Sequence, residues 1–308
     1  MNSRKSFRVS LNLGGGGARG LAHLGVLRAL QENKVKFDIL IGVSMGALIA
    51  AHYAYTLDID EVENHIINHI NKDVFKHSLL GTWRSDDHRE MVSRSKKFLL
   101  KFNRLYKQTE LYGRLLLAPG ILDDDDIQDV VYPLIPNVRF SDLKMPFACV
   151  AVDLESGKPK IFDQGPLRKP VLASLSMPLV FPPVQIEEGL YTDGGIVDRV
   201  GVDSAFILGV QKIIAVDVSN DFFERKKIKT ALDIMLRSEE ISSIYRKNYQ
   251  LKQAAIVIKP VHAPIHWADY HNYESIIESG YNSTMEKMVE IKALVRSQKS
   301  IIRFFTKG

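Results

Sequence analysis

The chain has 308 residues, 45% hydrophobic and 25% charged, with a formal net charge of +5. That length can bury a large core and the composition is ordinary for a globular chain, which excludes a disordered, collagenous or disulfide-stapled protein. The single cysteine, Cys149, allows no intramolecular disulfide and points to a reducing compartment. The positive charges are dispersed and lack a helix-turn-helix, zinc or aromatic stacking signature, so no nucleic acid partner is expected.

Phe7 to Leu13 reads as a strand whose apolar run is interrupted by Ser10 and Asn12, which argues against a signal peptide despite Arg4, Lys5 and Arg8. The strand runs into Gly14-Gly15-Gly16-Gly17-Ala18-Arg19-Gly20, and a helix follows over 20–33 with His23 packed inside it. A second strand, 37–42, leads into Gly42-Val43-Ser44-Met45-Gly46 and a helix from 45 to about 56. Gly-x-Ser-x-Gly between strand and helix is the pattern of a nucleophile elbow, a turn sharp enough to expose the serine hydroxyl above the sheet. Gly42 and Gly46 admit the cramped backbone. The stretch Ile39 to Tyr55 is shorter than the roughly 18 apolar residues a membrane span needs and contains Gly42, Ser44, Gly46 and His52, so it reads as strand, elbow and buried helix.

The glycine loop fits two chemistries. Gly15-Gly16-Gly17-Ala18-Arg19-Gly20 satisfies the dinucleotide fingerprint, while the same backbone N–H groups, aimed from a helix N-terminus, also suit a transient oxyanion. A dinucleotide site wants an acidic residue closing the second strand, where this chain has Gly42-Val43-Ser44 and where Asp38 precedes the apolar run. Ser44 favours the oxyanion.

Residues 57–135 read as mostly helical and interrupt the strand alternation, as an insertion or lid would. Within them, 88–107 places Met91, Phe98, Phe102 and Leu105 on one stripe and Arg94, Lys97, Lys101 and Arg104 on another. Such a helix either packs its apolar face on the domain or touches an anionic membrane. Asp123-Asp124-Asp125-Asp126 lacks the alternating ligands of a calcium loop and caps a helix from Ile127 to Ile135. His65 and His69 stand at i, i+4 without a third ligand, so no metal is expected.

Further strands are expected at 146–154, carrying Cys149 as a core thiol, and at 184–192, 212–218 and 255–260. Helices are expected near 166–176, 201–210, 229–251 and 271–297, followed by the apolar and basic tail Ser300 to Lys307, which docks on the fold. Alternating strands and helices make the chain α/β, with the site at the carboxyl ends of the strands. Pro178, Pro182 and Pro183 around Phe181 stop a regular helix and make a stiff apolar wall. A serine nucleophile needs a base. The best candidate is Asp193, between Gly189 and Gly195, although Asp-Gly is also an ordinary hairpin turn.

Over nearly its whole length the chain resembles the patatin-like phospholipases, specifically small bacterial members related to the catalytic domain of neuropathy target esterase. The resemblance rests on the glycine loop with Arg19, Gly20-Leu21-Ala22-His23-Leu24-Gly25-Val26-Leu27, the elbow at Ser44, Ala173-Ser174-Leu175-Ser176-Met177-Pro178, Asp193-Gly194-Gly195, Ile213 to Val218 and Ile256 to Pro260. It implies a single α/β/α domain over 1–308 with a mostly parallel central sheet, the helical insertion at 57–135, and a C-terminal helix and tail at 271–308. It implies a Ser44/Asp193 dyad without histidine, an oxyanion hole drawn from Gly14, Gly15, Gly16, Gly17 and Arg19, and an acyl-pocket wall of Pro178, Phe181 and Pro182. The expected activity is hydrolysis of fatty acyl esters of phospholipids or lysophospholipids, without metal or organic cofactor, in the cytoplasm or at a membrane surface. The alternatives are a scaffold that kept the fold without chemistry, or a dinucleotide-binding protein. The chain departs from the family after Asp193, where Asn-x-Pro is replaced by Ile196-Val197-Asp198-Arg199, with a solvated Asp198–Arg199 ion pair as the favoured outcome.

Overall fold

The computed structural model describes residues 7–72, 120, 122, 125, 127–219, 228–260, 265 and 270–305. Its strands are β1 (Val9–Leu13), β2 (Ile39–Val43), β3 (Phe147–Asp153), β4 (Pro159–Phe162), β5 (Val184–Ile186), β6 (Gly189–Asp193), β7 (Lys212–Val216) and β8 (Ile256–Ile258). The helices are α1 (Ala22–Glu32), α2 (Met45–Thr56), α3 (Ile59–Ile70), α4 (Arg168–Leu175), α5 (Val202–Ile207), α6 (Ala231–Leu251), α7 (Tyr273–Glu286) and α8 (Met288–Phe305).

Successive side chains on a strand point to opposite faces, and both faces of this sheet are covered. Leu11, Leu13, Leu40, Cys149, Ile214 and Val216 join a core with side chains of α1, α2, α3, α4 and α7. Ile41, Val43, Ala148, Val150, Ile213 and Ala215 join the opposite core, closed by Val202 and Ala205 of α5 and Leu251 of α6. The expected three-layer arrangement with a mostly parallel sheet is what the chain adopts. Strands β3, β2, β1, β7 and β8 run parallel in that order, while β4, β5 and β6 add antiparallel pairings. Among the described residues no helix is long and apolar enough to cross a membrane.

One detail of the pairing positions the site. Val150 of β3 is flanked by Val43 of β2 and Ile161 of β4, and Ala151 by Asp193 of β6 and Lys160 of β4. Strands β2 and β6 therefore share one edge of β3 and meet end to end, with their carboxyl ends converging beside Val150 and Ala151.

Several boundaries differ from expectation. The strand expected over 184–192 is a hairpin of β5 and β6, turning at Glu187 with φ 52°. Strand β4 was not foreseen, because Pro159 and Lys160 are exposed and supply no apolar run. The helix expected at 271–297 is broken at Lys287 into α7 and α8. Within 57–135, α3 is capped by Asp58, whose carboxylate accepts from the N–H groups of Asp60 and Glu61. A short helical turn follows at Ile127–Val131 in place of the longer helix expected to Ile135. The basic helix 88–107, Asp123, Asp124, Asp126 and the side chains of the C-terminal tail lie outside the described residues.

Candidate active site

Ser44 sits where β2 ends and α2 begins, at φ 55° and ψ −126°. A non-glycine residue reaches such a backbone only when its surroundings over-determine it. Here the glycines do so by close approach. A Cβ on Gly42 would lie 2.4 Å from the Ala47 Cα, and one on Gly46 would lie 2.0 Å from the Leu13 carbonyl oxygen. The Ser44 N–H donates to the buried Oγ of Ser174 on α4 at 3.0 Å. The side chain stands half-buried at the positive end of α2.

Asp193 closes β6 and is 7% exposed. Its carboxylate accepts the Gly195 N–H at 2.7 Å and lies close enough to the Ser44 hydroxyl to feel it electrostatically. Burial raises its pKa to about 6, against the lowering effects of the Gly195 hydrogen bond, the nearby Ser44 hydroxyl and the Arg199 charge. The Asp193 N–H donates to the Ser176 carbonyl at 3.0 Å, and the Thr192 hydroxyl donates to the same oxygen at 2.6 Å. The segment 174–176 thus touches both the serine turn and the aspartate turn.

The glycine loop lies beside Ser44, since a Cβ on Gly15 would come within 3.1 Å of the Ser44 Cβ. Its amides divide by role, and here the expectation needs correction. The Gly14 N–H donates to the Val216 carbonyl at 3.1 Å and the Gly15 N–H to the Arg199 carbonyl at 3.0 Å. Those two amides hold the loop and are spent as oxyanion donors. Gly16 and Gly17 donate no such bond among the described residues, and Gly17, at φ 59°, opens a turn of 3-10 helix whose first N–H groups have no intrahelical acceptor. Arg19 also differs from expectation. Its Nε donates to the Gly16 carbonyl at 3.2 Å, which fixes the Gly16–Gly17 peptide and turns the Gly17 N–H the opposite way, because a trans peptide is planar. Burial and the neighbouring Arg199 lower the Arg19 pKa to about 10. His23 Nε2, 2.8 Å from the Gly14 carbonyl, ties the loop to α1.

The expected apolar wall begins two residues past Ser176. Pro178 is exposed, while Phe181 and Pro182 are half-buried and meet Gly120, where a Cβ would lie 2.5 Å from the Pro182 nitrogen. His65 Nε2 lies 2.9 Å from the Pro133 carbonyl and His69 Nε2 2.8 Å from that of Val130, fastening α3 to the turn after 127. Among the described residues no group of three or more His, Cys, Asp or Glu is placed to hold a metal. Burial pushes the Cys149 thiol up, as fits an inert core residue.

The patatin-like phospholipase family model matches residues 11–206, which span the glycine loop, the elbow and the Asp193 turn. The chain belongs to the patatin-like phospholipase family. It is 32% identical over 213 residues to an uncharacterised NTE family protein of Mycobacterium tuberculosis, covering 69% of this chain and 49% of that one. It is 28% identical over 214 residues to a lysophospholipase, nte1, of Aspergillus fumigatus, covering 69% of this chain and 12% of that one. The chain therefore spans about half the length of the mycobacterial relative and a small part of the fungal one. Among solved structures, VipD from Legionella pneumophila aligns over 95% of this chain and 67% of its own with a TM-score of 0.47 and 17% identity. A human GIVD cytosolic phospholipase A2 aligns over 94% and 59% with a TM-score of 0.47 and 14% identity.

The parts that three residues of this chain play are not legible in sequence. Ser174 lies in a run that carries the family resemblance, but nothing local ties its hydroxyl to Ser44. Asp198 forms no solvated ion pair with Arg199: it is 2% exposed, and its carboxylate accepts the Val202 N–H at 2.9 Å and both the N–H and the hydroxyl of Ser204 at 2.8 Å. It anchors the start of α5, and the Arg199 guanidinium turns to the Ser243 hydroxyl at 3.1 Å. Lys247 is fully buried on α6, with its Nζ 2.9 Å from the Asp217 Oδ2 and 2.6 Å from the Ser219 hydroxyl. That pair anchors the end of β7, where Val216 holds Gly14 and where a Cβ on Gly16 would strike the Val218 side chain at 2.6 Å.

Proposed function

We propose that this member of the patatin-like phospholipase family is a serine acyl hydrolase that cleaves fatty acyl esters of phospholipids or lysophospholipids through Ser44 and Asp193. The observation that carries this reading is that the strained Ser44 elbow at the end of β2 and the buried Asp193 at the end of β6 meet where those two strands converge on β3. A carboxylate at its ordinary pKa near 3.9 is a feeble base toward serine. Burial moves Asp193 up to about 6, so that it accepts a proton more readily yet remains ionised near neutrality.

In the proposed reaction the Ser44 Oγ attacks the ester carbonyl as its proton passes to Asp193. The oxyanion is held by the N–H groups of Gly16 and Gly17 and by the positive end of α2. Collapse breaks the ester C–O bond, and Asp193 returns the proton to the leaving alcohol. Water then attacks the acyl-serine, Asp193 taking its proton and returning it to Ser44 as the fatty acid departs. Pro178, Phe181 and Pro182 would line the acyl chain's path. The fungal relative's name, lysophospholipase, supports this substrate class, and a cytoplasmic enzyme working at a membrane surface fits it.

The test is hydrolysis of a medium-chain p-nitrophenyl ester together with intact-mass detection of a fluorophosphonate adduct. Ser44→Ala and Asp193→Asn should each abolish turnover in a folded protein, and Ser44→Ala should also abolish the adduct. Full turnover in either variant refutes the dyad. Absence of any adduct on the wild-type protein, under conditions that label a control hydrolase, favours the scaffold alternative.

A further inference from the structure

Helix α6 is built inside out. Its sheet-facing side carries Ser243, Lys247 and Gln250, all buried, beside Ile244 and Leu251. Its outer side carries Ile234 at 56% exposure, Met235 at 60%, Ile241 at 37%, Tyr245 at 73% and Tyr249 at 70%. Ile234, Ile241, Tyr245 and Tyr249, with Ser238 between the first two, repeat at three- and four-residue steps and so form one stripe along the helix. Isolated exposed apolar residues are normal on a monomer, but a contiguous row of large ones marks a surface that meets something.

The inner side explains why polar residues are buried there. The Arg246 guanidinium donates to the Ile196 carbonyl, Gln250 Nε2 to the Val197 carbonyl at 3.0 Å, and the Ser243 hydroxyl accepts from Arg199. Lys247 holds Asp217 at the end of β7. The helix thus grips the segment that continues from Asp193 and the strand end beneath the glycine loop. Its outer stripe lies one helix diameter, about 10–12 Å, from those loops.

We propose that the outer face of α6 is the surface by which this protein lies on an anionic lipid bilayer. Tyrosines are amphipathic and suit the boundary between head groups and acyl chains, and Tyr245 and Tyr249 occupy the centre and end of the stripe. Lys252, exposed three residues after Tyr249, continues the stripe with a cation. The chain as a whole carries +5, complementary to anionic head groups. The choice of lipid over protein as occupant rests on the proposed acyl-ester substrate, because an enzyme whose substrate is a bilayer component gains by seating its site beside the bilayer.

The experiment uses vesicles and needs no turnover, so the failure of the hydrolase reading and the failure of this one are separable. Ser44→Ala protein, which leaves lipid intact, is sedimented with phosphatidylcholine vesicles with and without phosphatidylglycerol. The same is done after adding Ile241→Ser, Tyr245→Ser and Tyr249→Ser, with matching circular dichroism as the fold control. The expected result is binding that favours the anionic vesicles and falls by about tenfold or more in the substituted protein, in keeping with lost apolar burial. Should the substituted protein fail to fold, Tyr249→Trp alone provides the readout, and brominated lipid should quench the new fluorescence. Unchanged vesicle binding, no quenching, or a dimer in sedimentation velocity that dissociates on substitution each overturns the proposal, the last assigning the face to a second copy of the chain.

Discussion

The backbone N–H of Ser44 and the hydroxyl of Ser174, from opposite halves of the chain, are joined at 3.0 Å. This bond satisfies an amide at the start of α2 and pins the strained elbow to α4, the helix that leads into Ser176 and so to Asp193. Replacing Ser174 with alanine leaves that N–H without its buried acceptor, at a cost of about 1–3 kcal/mol. Ser174→Ala should lower kcat for a p-nitrophenyl ester by about tenfold with little change in KM, because a tenfold rate corresponds to about 1.4 kcal/mol. Urea unfolding and steady-state kinetics check the two effects.

The raised pKa of Asp193 has two opposite consequences. As the base it must be ionised, so kcat/KM should fall about tenfold for each pH step below about 6 and level off above it. Arg199 lowers that pKa, so Arg199→Ala should move the acid limb upward in a pH–rate profile.

Stability runs the other way. A carboxyl whose folded pKa is about 6 rather than 3.8 binds more protons folded than unfolded between those values. Stability therefore falls as pH rises through that window and stays low above it. Holding the buried carboxylate ionised costs about 3 kcal/mol, at 1.36 kcal/mol per tenfold in the protonation equilibrium. Asp193→Asn should raise Tm at pH 8 and have little effect at pH 4, which differential scanning calorimetry resolves.

Asp198 is satisfied by three donors of α5, so Asp198→Ala strands the Val202 and Ser204 N–H groups and should cost about 2–4 kcal/mol in urea unfolding. Asp198→Asn retains one acceptor oxygen and should cost less. A solvated ion pair would predict under 1 kcal/mol for either change.

Lys247 and Asp217 form a fully desolvated pair. Lys247→Met leaves a carboxylate buried without its nearest cation and should destabilise by about 3–5 kcal/mol, while Lys247→Met with Asp217→Asn should recover much of the loss. Thermal melts of the single and double variants test this coupling.

The local parts of this protein were legible in its residues. Gly42 and Gly46 around Ser44 announce a turn that only small residues permit, and the continuous apolar runs of β2 and β7 announce buried strands. The glycine loop was legible as a set of donors, but not which donors remained. Gly14 and Gly15 are spent on the Val216 and Arg199 carbonyls, which lie far along the chain. The nearness of Ser44 to Asp193 likewise depends on the register that brings β2 and β6 end to end on one edge of β3. Asp198 had an adjacent arginine in sequence and three buried donors in space, and the donors prevailed because burial leaves no water to solvate the carboxylate. Residue types and turn chemistry act over a few neighbours and can be read along the chain. Partners and protonation are set by what the fold excludes from water, and only the assembled sheet decides that.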